Sequence, residues 1–274
     1  MYPVLFEIAF AEGSTFTVGA YRFFGFLAAV YLTVFAVKHL REERLSNLKI
    51  IIVISLTIAA FLIGSRLLYL VLYLQDVIDN PSIIWQLRLA NFTLYGGLLL
   101  SLITWWLATR FNKVPFMKMT DYLAPHVGIS VMFMRTGCFL NGCCYGKVTT
   151  VPWGIVFPAA SGSHLAQIYV SPLAMFLPPR AVHPTQFYEM GAAFIASLAA
   201  WILIKSRVKE GLAAAVFGLI FSAGRLITYY FRDFPIASDI SNLIRGPLVY
   251  SLAILFFSVW IFIALNSEKR QEVV

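Results

Sequence analysis

Residues 48–73 read LKIIIVISLTIAAFLIGSRLLYLVLY, and this stretch decides the fold. An α-helix of this length rises roughly 39 Å at ~1.5 Å per residue, more than the ~30 Å of hydrocarbon in a bilayer. The segment therefore reads as a membrane span. Apart from Lys49 at its start, its one charge is Arg66. An ionised side chain at bilayer depth costs at least roughly 2.5–3.5 kcal/mol, so it is rarely left there without a partner.

Six further apolar runs flank it, at about 17–37, 92–109, 120–141, 186–205, 211–231 and 246–266. Charged residues make up 12% of the chain and hydrophobic ones 60%. A soluble domain carries about 25% charged residues, so a soluble reading is excluded. The third and fourth runs are interrupted by Gly96, Gly97, Pro125 and Gly128, which membrane helices tolerate where neighbours satisfy the backbone. The expected fold is an all-α integral membrane protein of about seven transmembrane helices, forming one transmembrane domain over residues 1–274.

The net charge of +8 does not point to nucleic acid; its distribution sets orientation instead. Twelve cations fall on one side: Lys38, Arg41, Arg44, Lys49, Arg110, Lys113, Lys118, Lys205, Arg207, Lys209, Lys269 and Arg270. Arg88, Lys147, Arg180, Arg232 and Arg245 fall on the other. The richer side is expected to be cytoplasmic, with the N-terminus outside and the C-terminus inside. The first sixteen residues carry Glu7 and Glu12 but no Lys or Arg, unlike the positive start of a cleavable signal. The connection at about 142–185 is then extracytoplasmic, and loops of that length are uncommon unless functional.

Arg22, Arg66, Arg135 and Arg225 sit within or at the lip of spans. Counting along each helix puts Arg66, Arg135 and Arg225 about 27, 22 and 21 Å from the inner end, in the half of the bilayer assigned as outer. Glu189 is the acid that falls clearly inside an outer-half span. An excess of cations at head-group depth points to an anionic ligand, and the guanidinium fork matches phosphate and stays protonated when desolvated. Arg22 is as well explained by snorkelling to the interface. Tyr69 and Tyr73 follow Arg66, and Tyr229 follows Arg225, at spacings that share a helix face.

Residues 134–146 read MRTGCFLNGCCYG. This segment resembles the signature of the prolipoprotein diacylglyceryl transferases, Gly-Arg-x-Gly-Asn-Phe-x-Asn-x-Glu-x-x-Gly, with Arg135, Gly137, Phe139, Asn141 and Gly146 matching. GSRLLYLV at 64–71, LYGGL at 94–98, DYLAP at 121–125, WGIVFP at 153–158, HPTQFYE at 183–189 and GRLITYYFR at 224–232 are similar in order. The resemblance implies a bacterial inner-membrane enzyme that moves diacylglyceryl from phosphatidylglycerol to a lipoprotein precursor's cysteine sulfur, releasing glycerol phosphate. It implies that Arg135 and Arg225 hold the phosphate. Asn141, Gly142 and Gly146 would shape the turn after the fourth span. His183 and Glu189 would line the entry of the fifth. Independently of the resemblance, the depth of Arg66 and the spacing of Tyr229 from Arg225 add both to the expected pocket. No metal or diffusible cofactor is implied; the expected partners are an anionic phospholipid and a precursor polypeptide.

The chain departs from that pattern in its proton-handling positions. Tyr95 stands in Tyr95-Gly96-Gly97 where the family has a His, its usual base. A phenol of pKa about 10 is a poor base unless a nearby arginine lowers it. Cys138 replaces the signature Asn, Cys143 its Glu and Met134 its leading Gly; Phe24 and Tyr229 replace a Tyr and a Glu. An alternative is therefore a divergent paralogue or a non-catalytic lipid-binding protein with the same anionic head-group pocket and a different acceptor.

All three cysteines, Cys138, Cys143 and Cys144, fall within seven residues. Four readings stay open: small buried residues, a disulfide, a thiolate activated by Arg135, and a metal site, for which the spacing lacks a fourth ligand. His183 before Pro184 suits a helix entry or a proton carrier. Asp121 is expected to cap the fourth span, His39 to lie in a cytoplasmic loop, and Lys147 to be a solvated loop residue.

Overall fold

The apolar runs fold as helices in the computed structural model, which describes residues 3–9, 15–86, 93–233 and 246–271. Glu12, Arg88 and Arg245 lie outside the described residues. The order is a hairpin of β1 (Val4–Ala9) and β2 (Thr15–Gly19), then α1 (Ala20–Glu42), α2 (Asn47–Leu72), α3 (Leu74–Asp79) and α4 (Leu94–Phe111). After these come α5 (Phe116–Asn141), α6 (Gly162–Val170), α7 (Thr185–Lys205), α8 (Leu212–Phe231) and α9 (Pro247–Gln271). The hairpin was not expected. Glu7 interrupts its short apolar run, and β1 is satisfied by antiparallel pairing with β2 rather than by length.

Six helices among the described residues, α1, α2, α5, α7, α8 and α9, are long and apolar enough to cross a membrane. This is a polytopic, mostly helical membrane protein. The third run is also helical, as α4, whose 18 residues include two Gly, two Trp and Arg110, and it is not among the six. His39, expected in a loop, is instead buried in α1, with Nδ1 3.2 Å from Glu42 and Nε2 3.8 Å from Glu43. The helix continues past the apolar run because this His–Glu spacing supports its last turn.

The chain divides into two compact units, residues 33–119 and residues 1–32 with 120–274. In the first, α2 starts at Ser46, whose hydroxyl accepts from Lys49 N. It packs on α4 through glycines: a Cβ on Gly64 would strike the carbonyl of Gly96, and one on Gly96 the carbonyl of Gly64. Small residues let membrane helices approach this closely and supply the packing that lipid exclusion cannot. The Thr93 hydroxyl and amide both donate to Ser65 O, each at 3.0 Å, fixing the start of α4 against α2.

In the second unit, Ala124, Ala196, Ala200, Ala213 and Phe217 form a core between α5, α7 and α8. Gly128 lets α5 lie against Ser197 and Ala193 of α7. Asp121 does not cap its own helix. It lies within α5, and its carboxylate accepts from Gly211 N at 2.6 Å and Ala214 N at 2.7 Å, capping α8. Helix N-termini leave four amides unsatisfied, and Gly211 offers no side chain to meet them.

The connection from α5 to α7 has its own structure. Ser161 caps α6 by accepting from His164 N, and Phe157 is buried against Phe139, ring centroids 6.0 Å apart. Gln167 donates to Arg180 O and accepts from Arg180 N, at 3.1 and 2.9 Å, closing the excursion.

Candidate active site

The site begins where α5 stops. Cys143 N donates to Cys138 O and Gly142 N to Phe139 O, both at 3.1 Å, with Gly142 at φ 72°. This is a Schellman ending, and the left-handed residue it needs carries no penalty when it is glycine. Cys144 also takes a left-handed conformation, φ 63°, which a side chain makes costly and which the surroundings must impose. The imposing groups come from α7: Thr185 Oγ1 donates to Cys144 O at 2.6 Å, and Gln186 Nε2 to Cys143 O at 2.7 Å. Gly146 is wedged between chains, where a Cβ would lie 2.5 Å from Phe231 O and 2.6 Å from His183 Cβ. Its amide donates to His183 O, and Lys147 N donates to Phe231 O, each at 2.8 Å.

This stitching brings three arginines to one acid. Glu189, 2% exposed on the first turns of α7, pairs through Oε2 with Arg135 Nε and through Oε1 with Arg225 Nη1. Arg232, just past α8, places Nη1 3.5 Å from the same Oε1. Desolvating a carboxylate costs several kcal/mol, which excellent pairing offsets. Arg225 also donates from Nη2 and Nε to Tyr250 Oη of α9, at 2.6 and 3.1 Å, with its guanidinium 5.2 Å from the Tyr250 ring centre. Arg135 Nη1 donates to Cys138 Sγ at 3.6 Å.

The three cysteines are free, and their sulfurs lie within 4.8 Å of one another. The Cys144 thiol is held well below its usual range. Hydrogen bonds from Cys138 and Cys143 contribute most, with the Arg232 and Arg135 guanidiniums adding against the effect of burial. The hydrogen bond with Cys138 alone would lower Cys143, but the bond with Cys144 and burial outweigh it and the thiol is raised.

Trp153 Nε1 donates to Tyr188 Oη at 2.8 Å, and that hydroxyl lies 3.0 Å from His183 Nδ1. The hydroxyl of Tyr188 thus links the indole of Trp153 to the ring of His183. The His183 ring also packs on Phe231, centroids 5.0 Å apart.

Arg135, Arg225, Glu189, Cys138, Cys143, Gly142 and Gly146 therefore gather at one end of the second unit; Asn141 ends α5 there, exposed. Tyr229 follows Arg225 on α8. Its ring packs on Gly246, and Tyr250 takes the place beside the guanidinium. Arg22 is exposed on α1. Arg66 and Tyr95 belong to the first unit. There Arg66 Nη2 donates to Ile83 O and the guanidinium lies 5.5 Å from the Tyr69 ring centre; Tyr69 and Tyr73 are 4.7 Å apart. Tyr95 sits on the first turn of α4, beside the glycines that meet α2. Sequence reasoning missed Arg232 and Tyr250. Arg232 carried a signal, the last position of GRLITYYFR; Tyr250 lies in the last apolar run, outside every quoted motif.

This is a multi-pass helical membrane protein with a half-buried three-arginine cluster beside a cysteine-bearing turn. Residues 3–264 match the family described as Prolipoprotein diacylglyceryl transferase, and the chain belongs to that family. It is 31% identical over 270 residues to the phosphatidylglycerol–prolipoprotein diacylglyceryl transferase of Clostridium tetani (strain Massachusetts / E88), covering 96% of this chain and 97% of that one. It is 27% identical over 271 residues to the protein so named in Legionella pneumophila (strain Paris), covering 95% and 97%. With that of Nitratidesulfovibrio vulgaris (strain DP4) it shares 29% identity over 182 residues, covering 66% and 63%.

Proposed function

We propose that this protein transfers the diacylglyceryl group of phosphatidylglycerol to the cysteine thiol of a lipoprotein precursor, at the outer leaflet of a bacterial inner membrane. The observation that carries the reading is the convergence of Arg135, Arg225 and Arg232 on the single carboxylate of Glu189. The N-terminus outside and the twelve-cation side cytoplasmic fit this placement.

Arg135 and Arg225 hold the phosphodiester, and Glu189 fixes their planes so that donors face the oxygen that gains charge. The sulfur attacks the glycerol carbon bearing the phosphate ester. The C–S bond forms, the C–O bond breaks, its electron pair goes to the departing glycerol phosphate, and that phosphate takes up the proton the thiol loses. Preorganised cations at the developing charge are usually the largest contribution to such a step. Gly142 and Gly146 shape the turn that seats the lipid, Asn141 lies at its rim, and His183 positions α7 from its Tyr188 and Phe231 contacts. Arg66, Tyr95 and Tyr229 are secondary: Arg66 ties α2 to the backbone at Ile83, Tyr95 lies on the first turn of α4, and Tyr229 packs on Gly246 ahead of α9.

The test is purified protein in detergent with phosphatidylglycerol and a lipobox peptide. The expected result is a peptide mass gain of one diacylglyceryl group with stoichiometric glycerol phosphate release. Phosphatidylglycerol binding with neither product would overturn the reading and leave a lipid-binding protein.

A further inference from the structure

We propose that Cys138, Cys143 and Cys144 form a three-sulfur site for zinc(II), whose fourth position takes the acceptor thiol. The inference rests on the transfer reading above and names how its nucleophile is made.

Three observations carry it. The sulfurs of all three residues converge within 4.8 Å. In a tetrahedral zinc site with Zn–S about 2.3 Å, neighbouring sulfurs stand about 3.8 Å apart, so a shift of roughly 1 Å closes the trio on an ion. Next, the backbone around them is held from outside: the Schellman turn fixes Cys138 to Cys143, Gln186 and Thr185 hold the carbonyls of Cys143 and Cys144, and Cys144 bends to φ 63°. Outer partners of this kind orient metal ligands and tune them. Finally, Arg135 reaches both halves of the site, donating Nη1 to Cys138 Sγ at 3.6 Å while Nε pairs with Glu189. The sulfur cluster and the arginine cluster therefore share a wall.

The charges fit. Before the acceptor thiol loses its proton, three guanidinium groups and a dication face one carboxylate, three thiolates and a phosphodiester, so these groups carry no net charge. The spacing of the cysteines supplies no fourth protein ligand, which argues against a closed structural site. It is what a catalytic site needs, since catalytic zinc keeps three protein ligands and an open position. Soft thiolate ligands select zinc over hard dications. The reaction needs a thiolate, and a thiol that coordinates zinc is deprotonated outright.

The step balances. The precursor thiol binds the ion and gives up its proton; its sulfur forms a bond to the glycerol carbon as the carbon–oxygen bond to phosphate breaks. The freed electron pair stays on the phosphate oxygen, which takes up the proton. No oxidant or reductant is consumed. The three-sulfur site thereby does the work of a missing base. Capture of the lipid by one of the protein's own cysteines is a poorer answer, because a thioether is a weak leaving group and the product would stay on the enzyme.

The experiment titrates reduced, chelator-stripped full-length protein in detergent with cobalt(II), a spectroscopic stand-in for zinc. The expected result is a sulfur-to-cobalt charge-transfer band saturating at one equivalent, displaced by zinc(II) and lost in Cys143→Ser. To guard against a variant that fails to fold, unmodified protein is also assayed with and without chelator. Lipobox-peptide lipidation should fall at least about tenfold on stripping and return with zinc(II), while phosphatidylglycerol binding stays unchanged. Absence of the band, lipidation indifferent to the chelator, or a disulfide among the three cysteines in freshly isolated protein overturns the proposal. A one-equivalent band with no peptide lipidation in zinc-loaded protein would instead refute the transfer reading and the acceptor role, leaving the metal site standing.

Discussion

The hydroxyl of Tyr250 accepts from both Nη2 and Nε of Arg225, at 2.6 and 3.1 Å, so α9 dictates the plane of a guanidinium carried by α8. Nη1 is left to Glu189. Tyr250→Phe keeps the ring and removes only the acceptor. A hydrogen bond to a charged group contributes roughly 1.5–3 kcal/mol to stability, so the melting temperature should drop, and with the guanidinium plane released kcat/KM for lipid transfer should fall at least about tenfold. Wild-type kinetics in this variant would mean that Arg225 is oriented by Glu189 alone.

Arg135→Lys tests geometry rather than charge. Arg135 uses Nε on Glu189 and Nη1 on Cys138 at the same time, which a single ammonium cannot do. Phosphatidylglycerol affinity and transfer rate should each drop tenfold or more, on the order of 1.4 kcal/mol apiece. Arg22→Lys is the control: Arg22 is exposed on α1, and its variant should match wild type in a vesicle-binding and transfer assay.

What the sequence made legible follows from how local each signal is. Membrane spans are written in contiguous residues, and the sign of the site follows from counting cations against acids, so Arg135, Arg225 and Glu189 were reachable. The identity of Glu189 as shared counter-ion is nearly forced by scarcity. Arg232 was set aside as a loop charge because depth along a helix says nothing about a residue one step past its end; only the fold of the loop back onto Gly146 brings it in. Tyr229 has the right spacing from Arg225, yet its ring turns to Gly246, and the hydroxyl comes from a helix 25 residues away in sequence. Asp121 was legible as a cap but not as the cap of a helix ninety residues on.

Gly146→Ala should be costly. The added carbon would sit 2.5 Å from Phe231 O and 2.6 Å from His183 Cβ, and overpacking of this kind typically costs about 1–3 kcal/mol. The strands it separates carry Arg232 and lead into α7, so transfer activity should fall with thermal stability in a detergent melt. Gly25→Ala, where a Cβ meets nothing within 4 Å, should do neither; loss of activity there would show that helical glycines matter here for reasons other than space.

Asp121→Ala separates stability from chemistry. It frees the amides of Gly211 and Ala214 at the start of α8, a capping loss worth about 1–2 kcal/mol. Asp121 is 14 residues before Arg135 on α5, roughly 21 Å along the helix. The melting temperature should fall while kcat and KM of the folded fraction hold. Asp121→Asn, which keeps one accepting oxygen, should lie between. A fall in kcat with an unchanged melt would place Asp121 in the reaction instead.

Glu189→Gln asks whether the arginine cluster is built for an anion. The substitution preserves shape but takes away the negative charge that Arg135, Arg225 and Arg232 share. Breaking a buried ion pair by neutralising one partner typically costs about 3–5 kcal/mol, so the variant should melt well below wild type in neutral detergent. A ligand that binds only the folded state raises stability in proportion to its affinity and concentration, and an anion at this site would replace part of the missing charge. Adding phosphatidylglycerol should therefore raise the melting temperature of Glu189→Gln by more than it raises that of wild type, while a zwitterionic phospholipid should do so for neither. Equal rescue by the two lipids would mean that the three guanidinium groups serve only to hold Glu189 in place, and the phosphate site would have to be sought elsewhere.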